Sequence, residues 1–208
     1  YVFYHRQTGL NEFARQAMVA PVEVSVEEGP GGQVNISEGE YTSEGFALNG
    51  LNPLERHSAG IACWYTGPKA AVHEWPDNTF YGSYVAASYD KDVDSSPVVN
   101  NADGSIVGYK YFNFTDVQAN TLLLNLVPEG IDGTVSVWAD SPWKSKGGLL
   151  LGELKLTADM QQTPTEQAVA LPALADLTGK HAVFLTFASD TKEKSLCTLH
   201  DFVFRSSK

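Results

Sequence analysis

His57, His73 and Asp77 are residue types that can serve as general acid, general base or metal ligand. Around them there is no nucleophile elbow, no metal-binding helix motif and no phosphate-cradling glycine loop. An intact small enzyme built on these three is therefore the weakest reading. His5, in Tyr4-His5-Arg6, carries an imidazole competent to bind a metal, but one histidine makes no site. Cys63 and Cys197 are the only cysteines, too few and too far apart for a zinc site. They can be free buried thiols acting as small hydrophobes, or a disulfide in an oxidising compartment. Trp75 (His73-Glu74-Trp75-Pro76-Asp77) and Trp143 (Ser141-Pro142-Trp143-Lys144-Ser145) stand in polar surroundings. Each could offer a flat binding surface or anchor its loop. Trp64 and Trp138 fall inside strand patterns and read as core. Tyr109 alternates with Tyr111 and faces one sheet surface.

The background is acidic. The chain has 208 residues, a net charge of −11 and a pI near 4.8. That disfavours nucleic acid, whose phosphates need clustered Lys and Arg. It is compatible with a neutral ligand such as a sugar. No run approaches the ~20 apolar residues of a membrane-spanning helix.

The elements that must position these residues are strands. Val2–Gln7 is aromatic and β-branched, Met18–Val26 alternates at its end, and Gln33–Ser37 alternates after the Glu28-Gly29-Pro30-Gly31-Gly32 turn. Together they predict a three-stranded antiparallel unit. Such a unit leaves an open edge that invites pairing, and a homodimer through this sheet is one expectation. A chain opening on a strand without lead-in is expected to be the tail of a longer protein. Asn49-Gly50-Leu51-Asn52-Pro53 reads as a boundary between residues 1–52 and 53–208. Beyond it, strand signals at Ile61–Tyr65, Ile106–Phe114, Thr121–Val127, Gly133–Ala139, Leu149–Leu156, Gln167–Leu171, His181–Ala188 and Leu196–Phe204 are spaced as in an all-β sandwich. Residues 69–101 read as irregular.

Two groups of motifs resemble one architecture. Tyr1–Gln7, with Arg15-Gln16-Ala17 and Thr42-Ser43-Glu44-Gly45, resembles the closing part of a family 43 glycoside hydrolase. That fold is a five-bladed β-propeller acting on xylan- or arabinan-type plant polysaccharides. Asp103–Phe114, Asp132–Trp138 and Cys197–Phe204 are similar to strands of a family 6-like carbohydrate-binding module, a jelly-roll sandwich. The order, propeller tail then sandwich, matches hydrolases that carry such a module at the C-terminus.

The resemblance implies a non-catalytic C-terminal portion of a secreted, periplasmic or cell-surface hydrolase. Paired carboxylates flanking the glycosidic bond do the family's hydrolysis, and they come from earlier blades. Glu12, Glu23, Glu27, Glu28, Glu38, Glu40 and Glu44 receive no catalytic role. His5 matches a histidine that points at a cation in an intact propeller. Family 6-like modules clamp a sugar between two loop aromatics beside an Asn. Here Val98–Ala102 and Asp159–Thr165 carry no aromatic, and Thr198 takes the Asn position. The first-strand acidic motif that binds a structural calcium is replaced by Ser58-Ala59-Gly60. Ligand contact is therefore assigned to Trp75, Tyr109, Trp143 and Thr198, with no cofactor. A jelly roll would also pair Ile61–Tyr65 with Leu196–Phe204. The alternative is an accessory domain that packs on the propeller and binds no sugar.

Overall fold

In a computed structural model, residues 1–7, 15–67, 82–86 and 96–206 are described. The chain is all-β there, and no helix is long and apolar enough to cross a membrane. In order, the strands are β1 (Val2–Gln7), β2 (Arg15–Ala20), β3 (Val24–Val26), β4 (Val34–Ile36), β5 (His57–Ser58), β6 (Trp64–Thr66), β7 (Tyr84–Val85), β8 (Val98–Ala102), β9 (Ile106–Asn113), β10 (Thr121–Pro128), β11 (Gly133–Ala139), β12 (Leu149–Leu156), β13 (Thr165–Ala170), β14 (Lys180–Ala188) and β15 (Ser195–Arg205).

Two sheets make the sandwich. One runs β13-β10-β15-β8-β7, with β5 also paired to β15; the other runs β12-β11-β14-β9-β6. Every strand pairing is antiparallel. Period-two burial explains the packing: Leu122, Leu124 and Leu126 of β10 point inward, while Thr121, Leu123, Asn125 and Val127 are less buried. Between the sheets lies an aromatic cluster. Tyr109 and Phe202 rings are 4.7 Å apart, Phe112 and Phe204 5.7 Å, and Phe114 and Phe204 5.3 Å. Tilted and edge-on arrangements like these are favourable for ring quadrupoles.

Three details depart from the sequence expectations. The N-terminal strands form two separate two-stranded ribbons, β1–β2 and β3–β4, instead of one three-stranded sheet. Val24, Val26, Val34 and Ile36 of β3–β4 are all largely exposed. Ile61–Tyr65 does not pair with β15. The 3₁₀ turn Ala59–Ile61, capped by Ser58 Oγ accepting from Gly60 N, carries the chain from β5 beside β15 to β6 beside β9 in the other sheet. Cys63, just ahead of β6, and Cys197, on β15, accordingly lie beside different sheets, and both thiols are free. Finally, Val98–Ala102 is a strand despite its two asparagines. Asn101 is fully buried, and its amide donates to Val98 O (3.0 Å) and Cys197 O (2.9 Å), supplying bonds where the β8–β15 register shifts.

The N-terminal region is fastened to the sandwich. Arg6 donates to the Gly60 and Ala62 carbonyls and to Gln16 Oε1, and its guanidinium lies 5.3 Å from the Tyr65 ring centre. Residues 41–51 run as a strap along β9. Leu51 N donates to Tyr111 O (2.8 Å), Asn113 N donates to Leu51 O (2.9 Å), and buried Glu44 pairs with Lys180. The strap and β6 together occupy the outer edge of β9, a device that keeps a strand from pairing elsewhere.

Candidate functional site

The turns after β8, β10, β12 and β14 meet at one end of the sandwich. Thr198 is there, where β15 leaves Val127 of β10. Its hydroxyl donates to Glu129 Oε1 (3.0 Å), which also accepts from Ser195 Oγ (3.0 Å). Asp103, Asp132, Lys155, Ser189 and Lys192 line a shallow pocket of about 580 Å³. Asp103 takes an ion pair from Lys192 (2.6 Å) and a hydrogen bond from Ser189 N (2.9 Å). The Lys192 ammonium and then the Ser189 amide hold the Asp103 carboxyl below the usual carboxylate range. These polar groups satisfy one another, and none of the described residues lining the pocket is aromatic.

The other predicted residues are not gathered at that end. Tyr109 is a correction: it is 1% exposed, packs on Phe202 and donates to Ala59 O (3.2 Å), out of reach of any ligand. It sits on the inward parity of β9, and the core holds its ring. Trp143 is 44% exposed, but it follows β11 at the opposite end from Thr198. Trp75 lies outside the described residues. His5 is exposed in a cleft between β1 and the sandwich. Among the described residues no group of three or more His, Cys, Asp or Glu could hold a metal. At Ser58-Ala59-Gly60, the Ser58 hydroxyl accepts from Gly60 N and Ser96 N.

What sequence reasoning missed is the outward face of the five-stranded sheet. A second apolar cluster sits there, the buried Ile106, Ala182 and Phe184 (3% exposed), with the partly buried Tyr111 and Trp138 rings against it. Trp138 of β11 is the register partner of Phe184 on β14, Phe184 of Gly108 on β9, and Gly108 of Trp64 on β6. Gly108 is required by this row: a Cβ there would come within 2.6 Å of the Phe184 ring, which leans over the bare backbone. Trp64 meets Phe184 edge-on at 6.1 Å and stays 41% exposed. The Trp138 indole N–H donates to Thr186 Oγ1 (3.1 Å), fixing the ring over its neighbouring strand. Leu150, 41% exposed, continues the row onto β12.

One step along the strands runs a polar row: Glu153, Ser136 and Thr186, register partners in turn, with Ser136 Oγ donating to Glu153 Oε1 (3.0 Å). Apolar rings beside convergent hydroxyl and carboxylate groups can take a ligand with C–H faces and hydroxyl edges. The sequence signal was available. Trp138 shares parity with Ser136 and Thr134, opposite to the core residues Val135 and Val137.

No family model matches the chain. A β-1,3-glucan-binding family 6 carbohydrate-binding module from Bacillus halodurans superposes with a TM-score of 0.56 at 19% identity, covering 76% of this chain and all of the module. The sandwich has the family 6-like carbohydrate-binding fold. A family 43 arabinoxylan arabinofuranohydrolase from Bacillus subtilis, solved with cellotetraose, aligns with a TM-score of 0.54 at 20% identity, over 93% of this chain and 34% of that one. In sequence, a xylosidase/arabinosidase of Thermoclostridium stercorarium is 25% identical over 207 residues, 95% of this chain and 40% of the relative. The chain is thus similar to the C-terminal portion of a family 43-like glycoside hydrolase followed by its module-like sandwich, and it spans well under half of that relative's length.

Proposed function

We propose that this chain binds an oligo- or polysaccharide of the xylan or arabinan type and does not itself cleave it. The observation that carries this reading is the pair of rings Trp138 and Trp64, seated on the buried Phe184, with the flanking Glu153–Ser136–Thr186 row. The name of the sequence relative, a xylosidase/arabinosidase, supports the ligand class. In this reading residues 53–208 are the binding sandwich. Residues 1–52 belong to a propeller-type region of a secreted hydrolase whose paired carboxylates lie elsewhere.

Calorimetric titration with xylo- and arabino-oligosaccharides tests the binding. Saturable heat at millimolar ligand is expected, and a flat titration with both series would overturn it. Incubation with the same oligosaccharides should release no shorter sugar; release above the buffer rate would contradict the non-catalytic part.

A second reading has its own support. The Arg6 anchor and the strap along β9 fasten the N-terminal region to the sandwich, as an accessory domain that only props a catalytic partner would require. The exposed apolar faces of the two ribbons could also pair copies of the chain. Light scattering showing a monomer across the micromolar range would remove the homodimer.

A further inference from the structure

The aromatic row does not end at β6. Trp64, its last ring, is also a wall of a cleft of about 500 Å³ between the sandwich and the β1–β2 ribbon. Tyr4, Arg6 and Met18 form the opposite wall, and Glu40 and Tyr41 of the strap flank it. Tyr4 and Tyr41 meet edge-on at 5.1 Å, and Tyr41 is 69% exposed. The charged groups of the cleft are hydrogen-bonded within the protein. Arg6 is bonded to carbonyls and to Gln16. Lys110 pairs with Glu40 (2.6 Å), which also accepts from the Tyr111 hydroxyl (2.9 Å). The Tyr4 hydroxyl is buried beside the Thr42 backbone without a hydrogen bond of good geometry. The Trp64 and exposed Tyr41 rings suit the C–H faces of a polyhydroxylated guest.

We propose that the sheet-face row and this junction cleft form one path for a single oligosaccharide chain, jointed at Trp64, so that the protein selects long chains over short ones. The proposal rests on the reading that the sheet face binds sugar. From Leu150 on β12 to Trp64 on β6 is four strand spacings, about 19 Å, and the cleft lies beyond. A disaccharide on the face cannot also reach the cleft. A hexasaccharide fills both, and its second contact forms at high effective concentration.

The test is calorimetry with xylobiose and xylohexaose on the unaltered chain, Tyr41→Ala, Tyr41→Trp and Trp138→Ala. Xylohexaose should bind the unaltered chain more tightly than xylobiose. Tyr41→Ala should weaken xylohexaose about tenfold and leave xylobiose unchanged, while Tyr41→Trp keeps the preference. Trp138→Ala should weaken both sugars. Equal affinities for the two sugars, or Tyr41→Ala binding xylohexaose like the unaltered chain, overturn the path; continued weakening by Trp138→Ala then leaves the sheet-face reading standing alone. No binding of either sugar by the unaltered chain overturns both.

Discussion

Two regions of the sandwich, among the described residues, are built on opposite principles. At the loop end, Asp103, Lys192, Glu129, Ser195 and Thr198 spend their hydrogen bonds on one another. On the outer face of the five-stranded sheet, Trp64 and Trp138 flank the buried Phe184 ring beside Ser136, Thr186 and Glu153, which also bond within the protein, but Trp64 and Leu150 remain open to solvent. A self-satisfied polar end gains little from a neutral guest, because each new hydrogen bond replaces an existing one. An apolar ring gains by losing water. The difference locates binding by what a surface has left to give, not by how many polar groups it shows.

The comparison can be broken most forcefully at Gly108. Gly108→Val places side-chain atoms where Phe184 now rests. It should cost about 1–3 kcal/mol of stability by overpacking, read from urea midpoints, and abolish sugar binding at temperatures where the variant is folded. Unchanged binding would show that the row is not the platform. Trp138→Ala comes next: it removes one ring and its bond to Thr186, and should weaken xylohexaose about tenfold. Thr198→Ala at the loop end should leave affinity unchanged, and a loss equal to that of Trp138→Ala would reverse the comparison.

Smaller effects separate the regions by charge. Sugar affinity on the face should hold steady between low and high salt, since the ligand is neutral. The Asp103 carboxyl is held low in the folded state, so its contribution is present above the ordinary carboxylate range and lost as pH falls through the depressed value. Melting temperature followed downward through that acid window should fall more for the unaltered chain than for Asp103→Asn. Parallel curves would remove the ion pair from the account.

Much of the sandwich is legible in the sequence. The alternation Thr-Leu-Leu-Leu-Asn-Leu-Val gives β10 and its buried leucines directly. Alternation reports which residues share a face, however, and not which face is covered. Trp138 and Trp64 therefore read as core while standing on the outer side, and Tyr109 reads as a surface candidate while lying in the centre. Strand pairing was less legible still. The 3₁₀ turn at Ala59–Ile61 moves the chain between sheets, and no local pattern marks that crossing. Val98–Ala102 hides its strand because Asn101 supplies through its side chain what a hydrophobic residue would have supplied by packing. The three-stranded N-terminal unit fails for a similar reason: each of its hairpins closes locally, and nothing in the alternation fixes which strand lies beside which.

The most direct test of the central claim is an NMR titration of the unaltered chain with xylohexaose, following every backbone amide. The account predicts shifts concentrated on β11, β14, β9 and β6 around Trp138, Phe184, Gly108 and Trp64, with Asp103, Glu129, Ser189 and Thr198 unmoved. Shifts confined to those loop-end residues, with the sheet face silent, would contradict it.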